Sequence, residues 1–246
     1  MSESTQSTGT DGDTRASFLR KAGLGVAALV GGGALLGRPD AALAGHSDDV
    51  PDVDILNFAL TLEYLEASFY TEALGGTGTK GVPPSGGRFN RGAITGAKVF
   101  RFSGRNRGQA YGLLTDIRDH EVTHVDFFVG ALGASAVGPC TFDFSKALKD
   151  VSTFLATAQV LENTGVMAYD GAIRFVDAGD NLQNGAQIAT VEARHAAYLN
   201  QVNDDSPFPD AFDKGMLPSA IIKAVKATGF IVSCPPEVNA LFTRLP

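Results

Sequence analysis

The sequence predicts an all-α protein, a four-helix bundle with a C-terminal extension. Three observations predict it: four long segments repeat apolar residues at helical spacing, no run alternates long enough to form a sheet, and two segments carry the same Glu-x-x-His motif. The four segments cover residues 52–73, 106–132, 147–178 and 182–203. They predict one folded domain over 45–205, followed by residues 206–246 as an extension packed on the bundle.

Each helix has its own start or stop signals. The first repeats apolar residues at helical spacing and stops at a pair of glycines, and the second ends at Gly133. Ser145 is a candidate N-cap for the third helix, and Asn181 is one for the fourth. A weaker helix is predicted over 217–229, within the extension.

The connections predict the topology. Helices three and four are joined by only a few residues around Gly179, so they are antiparallel neighbours. About 14 residues, 133–146, join helices two and three and can span roughly 45 Å when extended. This length favours an up-down-down-up bundle with one long crossover, and a plain up-and-down bundle stays open. The Gly- and Pro-rich stretch 76–105 predicts a long irregular loop.

Residues 1–44 are organised like an export signal. A basic cluster precedes a weakly apolar run that is too short to span a bilayer, and an Ala-Leu-Ala triplet follows, which predicts cleavage after Ala44. Residues 14–21 resemble a twin-arginine (Tat) signal, in which Ala16 stands where the second Arg is expected. We therefore expect export to the periplasm, cell envelope or exterior, with no stable membrane span after cleavage; an uncleaved anchor is the alternative.

Charge and cysteine content exclude some classes of function. The net charge is −7, and the body of the chain has no basic cluster, so we expect no nucleic-acid partner. Cys140 and Cys234 form no Cys-x-x-Cys pair, which disfavours a thiolate metal site. An even count in an exported chain permits one disulfide, and the sequence leaves this pairing open.

Two Glu-x-x-His motifs carry the chemistry. Glu121 and His124 lie on the second helix, and Glu192 and His195 lie on the fourth. Residues three apart share a helix face, so each pair can direct a carboxylate and an imidazole at one ion. Chance predicts only on the order of 0.1 such pairs in a chain of this composition. The two copies therefore indicate a shared site.

The other two helices each supply a carboxylate followed seven residues later by a tyrosine. These pairs are Glu63 with Tyr70 and Glu162 with Tyr169. The order of a Glu/Tyr helix and a Glu-x-x-His helix thus occurs twice, which predicts two related halves, each binding one metal ion and sharing bridging carboxylates. In the second hairpin, Glu162 and Glu192 are predicted to lie within about 6 Å in height.

Four carboxylates and two imidazoles suit Fe or Mn at two adjacent positions. Zinc more often takes fewer oxygen ligands or some sulfur. Two dications would also offset the cost of burying these carboxylates. The predicted ligands are Glu63, Glu121, His124, Glu162, Glu192 and His195.

Four strings resemble the ferritin-like domain family that includes plant desiccation-related proteins. They are LNFALTLEYLE at 56–66, EVTH at 121–124, LENTG at 161–165 and IATVEARH at 188–195. The resemblance covers about 52–203 and implies a ferritin-like bundle with a dimetal site at the six predicted ligands. A tyrosine seven residues after the first-helix Glu also occurs in rubrerythrins, which agrees with Tyr70.

The resemblance implies a range of functions. One is metal, oxygen or peroxide handling in stress defence, as a di-iron oxidoreductase or a dimanganese catalase-like enzyme. The alternative is a non-catalytic desiccation- or stress-related envelope protein with a structural or vestigial metal site. A storage cage is less favoured, because nothing in the sequence specifies assembly into a shell. A smaller homo-oligomer is compatible with the sequence.

The sequence leaves two possible roles open for several residues near the predicted ligands. Glu66 competes with Glu63 as the ligand on the first helix, and its helix-three equivalent is Gly165, which favours Glu63 and leaves Glu66 close by or facing solvent. His120 lies one turn before His124 and is interpreted as a satisfied or solvent-exposed histidine. Tyr70 and Tyr169 either pack in the core or act beside the metals, by bonding a carboxylate or passing an electron.

Overall fold

A computed structural model describes residues 50–76, 78–97, 105–177 and 179–246, so the predicted leader and its cleavage point lie outside the described residues. In the described part the chain is mostly helical, with one small antiparallel sheet. The helices are α1 (Asp52–Leu74), α2 (Arg91–Gly96), α3 (Arg105–Leu132), α4 (Val151–Ala172), α5 (Asp180–Val202), α6 (Pro218–Ala227) and α7 (Pro236–Phe242), and the strands are β1 (Thr141–Phe142) and β2 (Ile231–Ser233). The predicted all-α fold class is confirmed.

Hydrogen bonds between helix ends fix the directions of the four long helices, α1, α3, α4 and α5. Near the start of α1, Asn57 accepts a bond of 2.9 Å from the Val137 N–H, just after α3. Asp52 accepts bonds of 3.0 Å from the Asp177 N–H, just after α4, and from the Asn181 amide at the start of α5. α1 is therefore antiparallel to α3 and α4 and parallel to α5. This is the predicted up-down-down-up bundle, with its long crossover between α3 and α4.

The third predicted helix, 147–178, is longer than the observed α4. Ser145 is not its cap, because the Ser145 N–H is held in a turn by the Asp143 carboxylate at 2.8 Å. Asp150 caps α4 instead, with its carboxylate accepting a bond of 2.7 Å from the Thr153 N–H. At its C-terminal end α4 tightens into a 3₁₀ turn.

The fourth predicted helix starts two residues earlier than expected, at Asp180. Gly179 occupies the N-cap position with φ of 119°, a conformation that favours glycine. Asn181 therefore does not cap the helix and instead bonds to Asp52 of α1. The weaker predicted helix, 217–229, corresponds to α6.

The stretch predicted as an irregular loop, 76–105, is partly regular where the structure describes it. It contains α2, which Asn90 caps by accepting a bond from the Ala93 N–H at 3.0 Å. The preceding segment folds back on the end of α1, where the Phe89 N–H donates to the Ala73 carbonyl at 2.7 Å. This segment therefore covers the end of the bundle rather than standing away from it.

α1 is the central helix of the molecule. Its side chains are buried on almost every side, because α3, α4 and α7 pack around it. A helix with apolar residues all round is expected to be enclosed in this way. Glu63 and Glu66 therefore reach the interior from the most enclosed helix.

The C-terminal extension completes the core. α6 packs against α4 through Ile221, Ile222 and Val225, and α7 packs against α1. The Arg244 guanidinium forms a two-point ion pair with the Asp54 carboxylate of α1, at 2.8 and 2.9 Å. The extension therefore closes one side of the bundle.

None of the described helices combines the length and the apolar character that a membrane span requires.

Cys140 and Cys234 form a disulfide that joins the crossover to the extension beside the β1–β2 sheet. The two cysteines are 94 residues apart, and closing a loop of this size restricts the unfolded chain strongly. Replacing both by Ser is expected to lower the free energy of unfolding by about 4 kcal/mol and the melting temperature by roughly 10 °C. Thermal melts of the wild type, with and without reductant, provide the control; equal melting temperatures would contradict the prediction.

Candidate metal centre

The structure brings the six predicted ligands together between α1, α3, α4 and α5. All six side chains are buried, and the four carboxylates have no solvent exposure. α1 and α4 each contribute one carboxylate, and α3 and α5 each contribute one Glu-x-x-His pair. The ligands therefore come from all four long helices and meet inside the bundle.

The ligands form two groups that overlap. In each group four ligand atoms, one from each residue, lie within 4.8 Å of one another. The first group is Glu63, Glu121, His124 and Glu192, and the second is Glu121, Glu162, Glu192 and His195. Glu121 and Glu192 belong to both groups, which is the arrangement expected of carboxylates that bridge two ions.

Each histidine directs its Nδ1 atom at the carboxylates. His124 Nδ1 lies 3.1 Å from Glu63 and 3.2 Å from Glu121. His195 Nδ1 lies 2.9 Å from Glu121 and 3.2 Å from Glu162. Nδ1 is therefore the atom through which each imidazole would bind an ion in this geometry.

The two tyrosines bond across the bundle to the carboxylate of the opposite half. Tyr70 of α1 donates a bond of 2.6 Å to Glu162 of α4, and Tyr169 of α4 donates to Glu63 of α1. Both phenols are buried, and burial beside these carboxylates raises the pKa of each tyrosine well above its usual value. Both therefore remain protonated donors that orient one terminal carboxylate each.

Burial makes the carboxylates costly to ionise. Desolvation raises the pKa of Glu121 to about 7, and it raises the pKa values of Glu66 and Glu192 well above the usual range, with the neighbouring carboxylates adding to each shift. Desolvation also acts on Glu63, but the adjacent His124 outweighs it, so the pKa of Glu63 is lowered. The cluster therefore holds protons that a bound cation would displace.

The pKa values of the two imidazoles are raised as well, but for a different reason. Burial alone would lower their pKa values, but the carboxylates around them outweigh it. Glu63 and Glu121 raise the pKa of His124 to about 11, and the carboxylates of Glu121 and Glu162 raise the pKa of His195 to about 9. In the metal-free protein both rings are therefore cations that partly balance the buried carboxylates.

The donor atoms fit a pair of metal ions. Both carboxylate oxygens of Glu192 are buried without a hydrogen-bond partner. Oε1 of Glu121 lies 2.9 Å from His195 Nδ1 but makes no hydrogen bond of good geometry. Buried carboxylate oxygens without partners are costly, and coordination to a cation removes that cost.

Glu66 is buried in this cluster, with 4 % of its surface exposed, so its solvent-facing reading is wrong. It approaches Gly165 of α4. A Cβ added at Gly165 would lie 3.4 Å from Glu66 Oε1 and only 2.7 Å from Glu192 Oε2. The missing side chain at Gly165 therefore leaves space for two carboxylates. Glu66 is a fifth buried carboxylate beside the six predicted ligands.

Replacing Gly165 by Ala is expected to weaken metal binding at least tenfold, because the new methyl group displaces the Glu192 carboxylate. The same change raises helix propensity by about 1 kcal/mol, so the metal-free protein should remain folded. Metal affinity and metal-free melting temperature would be measured together. Gly130→Ala is the matched control, because a Cβ at this exposed α3 glycine meets nothing within 4 Å; equal affinities in the two variants would contradict the prediction.

His120 has a role that the sequence interpretation missed. Its Nδ1 lies 2.9 Å from His195 Nε2, and the two rings stack with centroids 5.2 Å apart. His120 is therefore hydrogen-bonded, as one of its two interpretations expected, and its partner is the predicted ligand His195. The position of His120 one turn before His124 was the sequence signal for this proximity.

An apolar pocket lies beside the ligand cluster, and Tyr169, which donates to Glu63, forms part of its wall. Its lining residues are Ile55, Leu56, Ala59, Phe127, Phe128, Ala131, Tyr169, Ala172, Ile173, Val176, Asn181, Asn184 and Gly185. The related tyrosine, Tyr70, is instead enclosed by Phe69 and Phe154, with ring centroids 5.4 and 6.1 Å away. None of the six predicted ligands lines the pocket, and Tyr169 links its wall to Glu63.

The fold and the site together define a four-helix bundle whose interior carries a buried cluster of carboxylates and histidines that could hold metal ions. The chain belongs to the ferritin-like domain family, whose family model, described as a ferritin-like domain, matches residues 51–204. The matched range covers the four long helices and all six predicted ligands. No curated protein matches the chain significantly.

Proposed function

We propose that the protein binds two Fe or Mn ions and uses them to handle dioxygen or peroxide in stress defence outside the cytoplasm. The observation that carries the proposal is the pair of overlapping ligand groups, which share Glu121 and Glu192. Iron or manganese in such a site would supply the one-electron redox changes that oxygen or peroxide chemistry requires.

The residues have separate roles in this proposal. Glu121 and Glu192 would contribute to both metal positions. The terminal ligands would be Glu63 with His124 at one position and Glu162 with His195 at the other. Tyr70 and Tyr169 orient the two terminal carboxylates through their hydrogen bonds. The oxygen-rich ligand set favours Fe or Mn over zinc.

The apolar pocket supports a small uncharged substrate. Its walls are almost entirely apolar, and the Tyr169 hydroxyl is already bonded to Glu63. A pocket of this kind gives ordered water few partners but accepts a small apolar molecule such as dioxygen. The Glu63 side of the centre is thus the side that such a molecule would reach.

The test is to load the metal-free protein with Fe, Mn or Zn, count the ions by elemental analysis, and measure consumption of dioxygen and of peroxide. We expect about two ions per chain and turnover with Fe or Mn; the zinc form is the control because zinc has no redox chemistry. No bound metal after anaerobic loading would reject the proposal.

A structural role is the second candidate. All four long helices contribute ligands, so two ions would cross-link the bundle. This candidate predicts two bound ions and a melting temperature that falls on chelation, without turnover of dioxygen or peroxide. A melting temperature that chelation leaves unchanged would count against it.

Export is part of the proposal and rests on the leader sequence. N-terminal sequencing of the protein recovered outside the cytoplasm should find a chain that begins at Gly45. Recovery of only the full-length chain in the cytoplasm would reject export while leaving the metal site untouched.

A further inference from the structure

The two histidines of the centre differ in what their outer nitrogens contact. His195 Nδ1 faces the carboxylates, and its Nε2 lies 2.9 Å from His120 Nδ1. His124 Nδ1 also faces the carboxylates, but its Nε2 has no hydrogen-bond partner among the described residues. Among the described residues, His195 therefore has an outer partner and the otherwise related His124 does not.

This difference arises from the residue that precedes the Glu of each Glu-x-x-His motif. His120 immediately precedes Glu121 on α3, and the corresponding residue before Glu192 on α5 is Val191. A valine side chain cannot accept a hydrogen bond from an imidazole N–H. The twofold relation of the halves is thus broken at this position, on the outer side of the ligands.

The contact has a defined effect on His195. A histidine that binds a cation through Nδ1 carries its hydrogen on Nε2, and His120 Nδ1 stands where it accepts that hydrogen. An outer partner of this kind fixes the tautomer and ring orientation and strengthens the ligand, and its loss typically costs 10- to 100-fold in metal affinity. His120 is partly exposed in a surface depression that His195 and Val191 also line, so it is not held there by the core.

We propose that the two metal positions are unequal, and that His120 is the positioning residue that makes them so. The position at Glu162 and His195 is the anchored one and fills first. The position at Glu63 and His124, on the side of the apolar pocket, binds its ion more weakly and is the one that exchanges. This inference rests on the proposed dimetal function and deepens it.

The test is a titration of the metal-free protein with Co²⁺, whose visible absorption reports each bound ion. We expect two distinct dissociation constants, and crystals with one Co²⁺ per chain should show anomalous scattering between Glu162 and His195. His120→Ala should weaken the tighter constant about tenfold or more and leave the weaker one unchanged. His120→Asn, which keeps an acceptor near the Nδ1 position, should retain most of the difference.

A gain-of-function variant separates positioning from general stability. Val191→His places an imidazole at the position of α5 that corresponds to His120 in the twofold relation of the halves, and by that relation it should tighten only the weaker constant, at His124. Leu113→Ala, in the same depression, is the control and should change neither constant. Equal constants in the wild type, or equal weakening of both by His120→Ala, would overturn the inference while leaving two bound ions and the proposed function intact. No Co²⁺ bound by any variant would overturn both.

Discussion

Replacing Glu121 and Glu192 together by Ala is expected to abolish binding of both metal ions. Each of these carboxylates belongs to both ligand groups, so the double variant leaves each position with one carboxylate and one imidazole. Two protein ligands are too few to hold Fe or Mn against exchange with water. Elemental analysis should find about two ions per chain in the loaded wild type and none in the variant.

The control for this experiment is Glu237→Ala, which removes an exposed carboxylate from α7 and should keep both ions. Far-UV circular dichroism should show that the metal-free double variant is still helical. Retention of two ions by the double variant would show that the metals bind elsewhere.

The convergence of the six predicted ligands could be predicted because the spacing of these residues is local. Glu-x-x-His places both side chains on one face of a helix whatever surrounds it, and the seven-residue spacing of Glu63 and Tyr70 is equally local. The directions of the helices were predictable for a similar reason, since connection lengths limit how consecutive helices can pack. The six predicted ligands therefore meet in the structure without help from the loops.

The neighbours of the ligands were harder to predict because they depend on distances between helices. The space at Gly165 is measured against Glu192 of another helix, and the contact of His120 is with His195, 75 residues later. Neither distance follows from spacing within one helix. The burial of Glu66 has the same origin, because it depends on how closely α4 approaches α1.

The extension and the loop after α1 depend on contacts that are distant in sequence. Asp54 pairs with Arg244, 190 residues later, and Cys140 pairs with Cys234. A composition rich in Gly and Pro indicated a loop at 76–105 but not the short helix inside it, because α2 has only six residues and one cap.

The stabilities of the metal-free and the metal-loaded protein should change in opposite directions as pH rises. In the metal-free protein the folded-state pKa values of Glu66, Glu121 and Glu192 are raised, so above pH 4.5 the folded chain binds more protons than the unfolded chain. Stability is then lost as pH rises from about 4.5 through about 7, the pKa of Glu121. The raised pKa values of His195, about 9, and His124, about 11, extend the loss upwards from pH 6.5.

Glu63 works against this trend only in acid. Its folded-state pKa is lowered, so its contribution is complete above pH 4.5 and is lost as pH falls below that value. Metal binding instead requires deprotonated ligands and releases their protons, so the stabilisation by bound ions grows as pH rises. The free energy gap between the loaded and metal-free forms should therefore widen from pH 5.5 to pH 8.5.

Thermal melts of both forms at pH 5.5, 7 and 8.5 measure this gap. The melting temperature of the metal-free protein should fall by on the order of 10 °C over this range, and that of the loaded protein should hold or rise. Glu121→Gln removes one titrating group and should flatten the metal-free curve, whereas Glu237→Gln, at an exposed position, should not. Parallel curves for the two forms would mean that the ions do not displace protons from the buried carboxylates, and hence that they bind outside the four-helix interior.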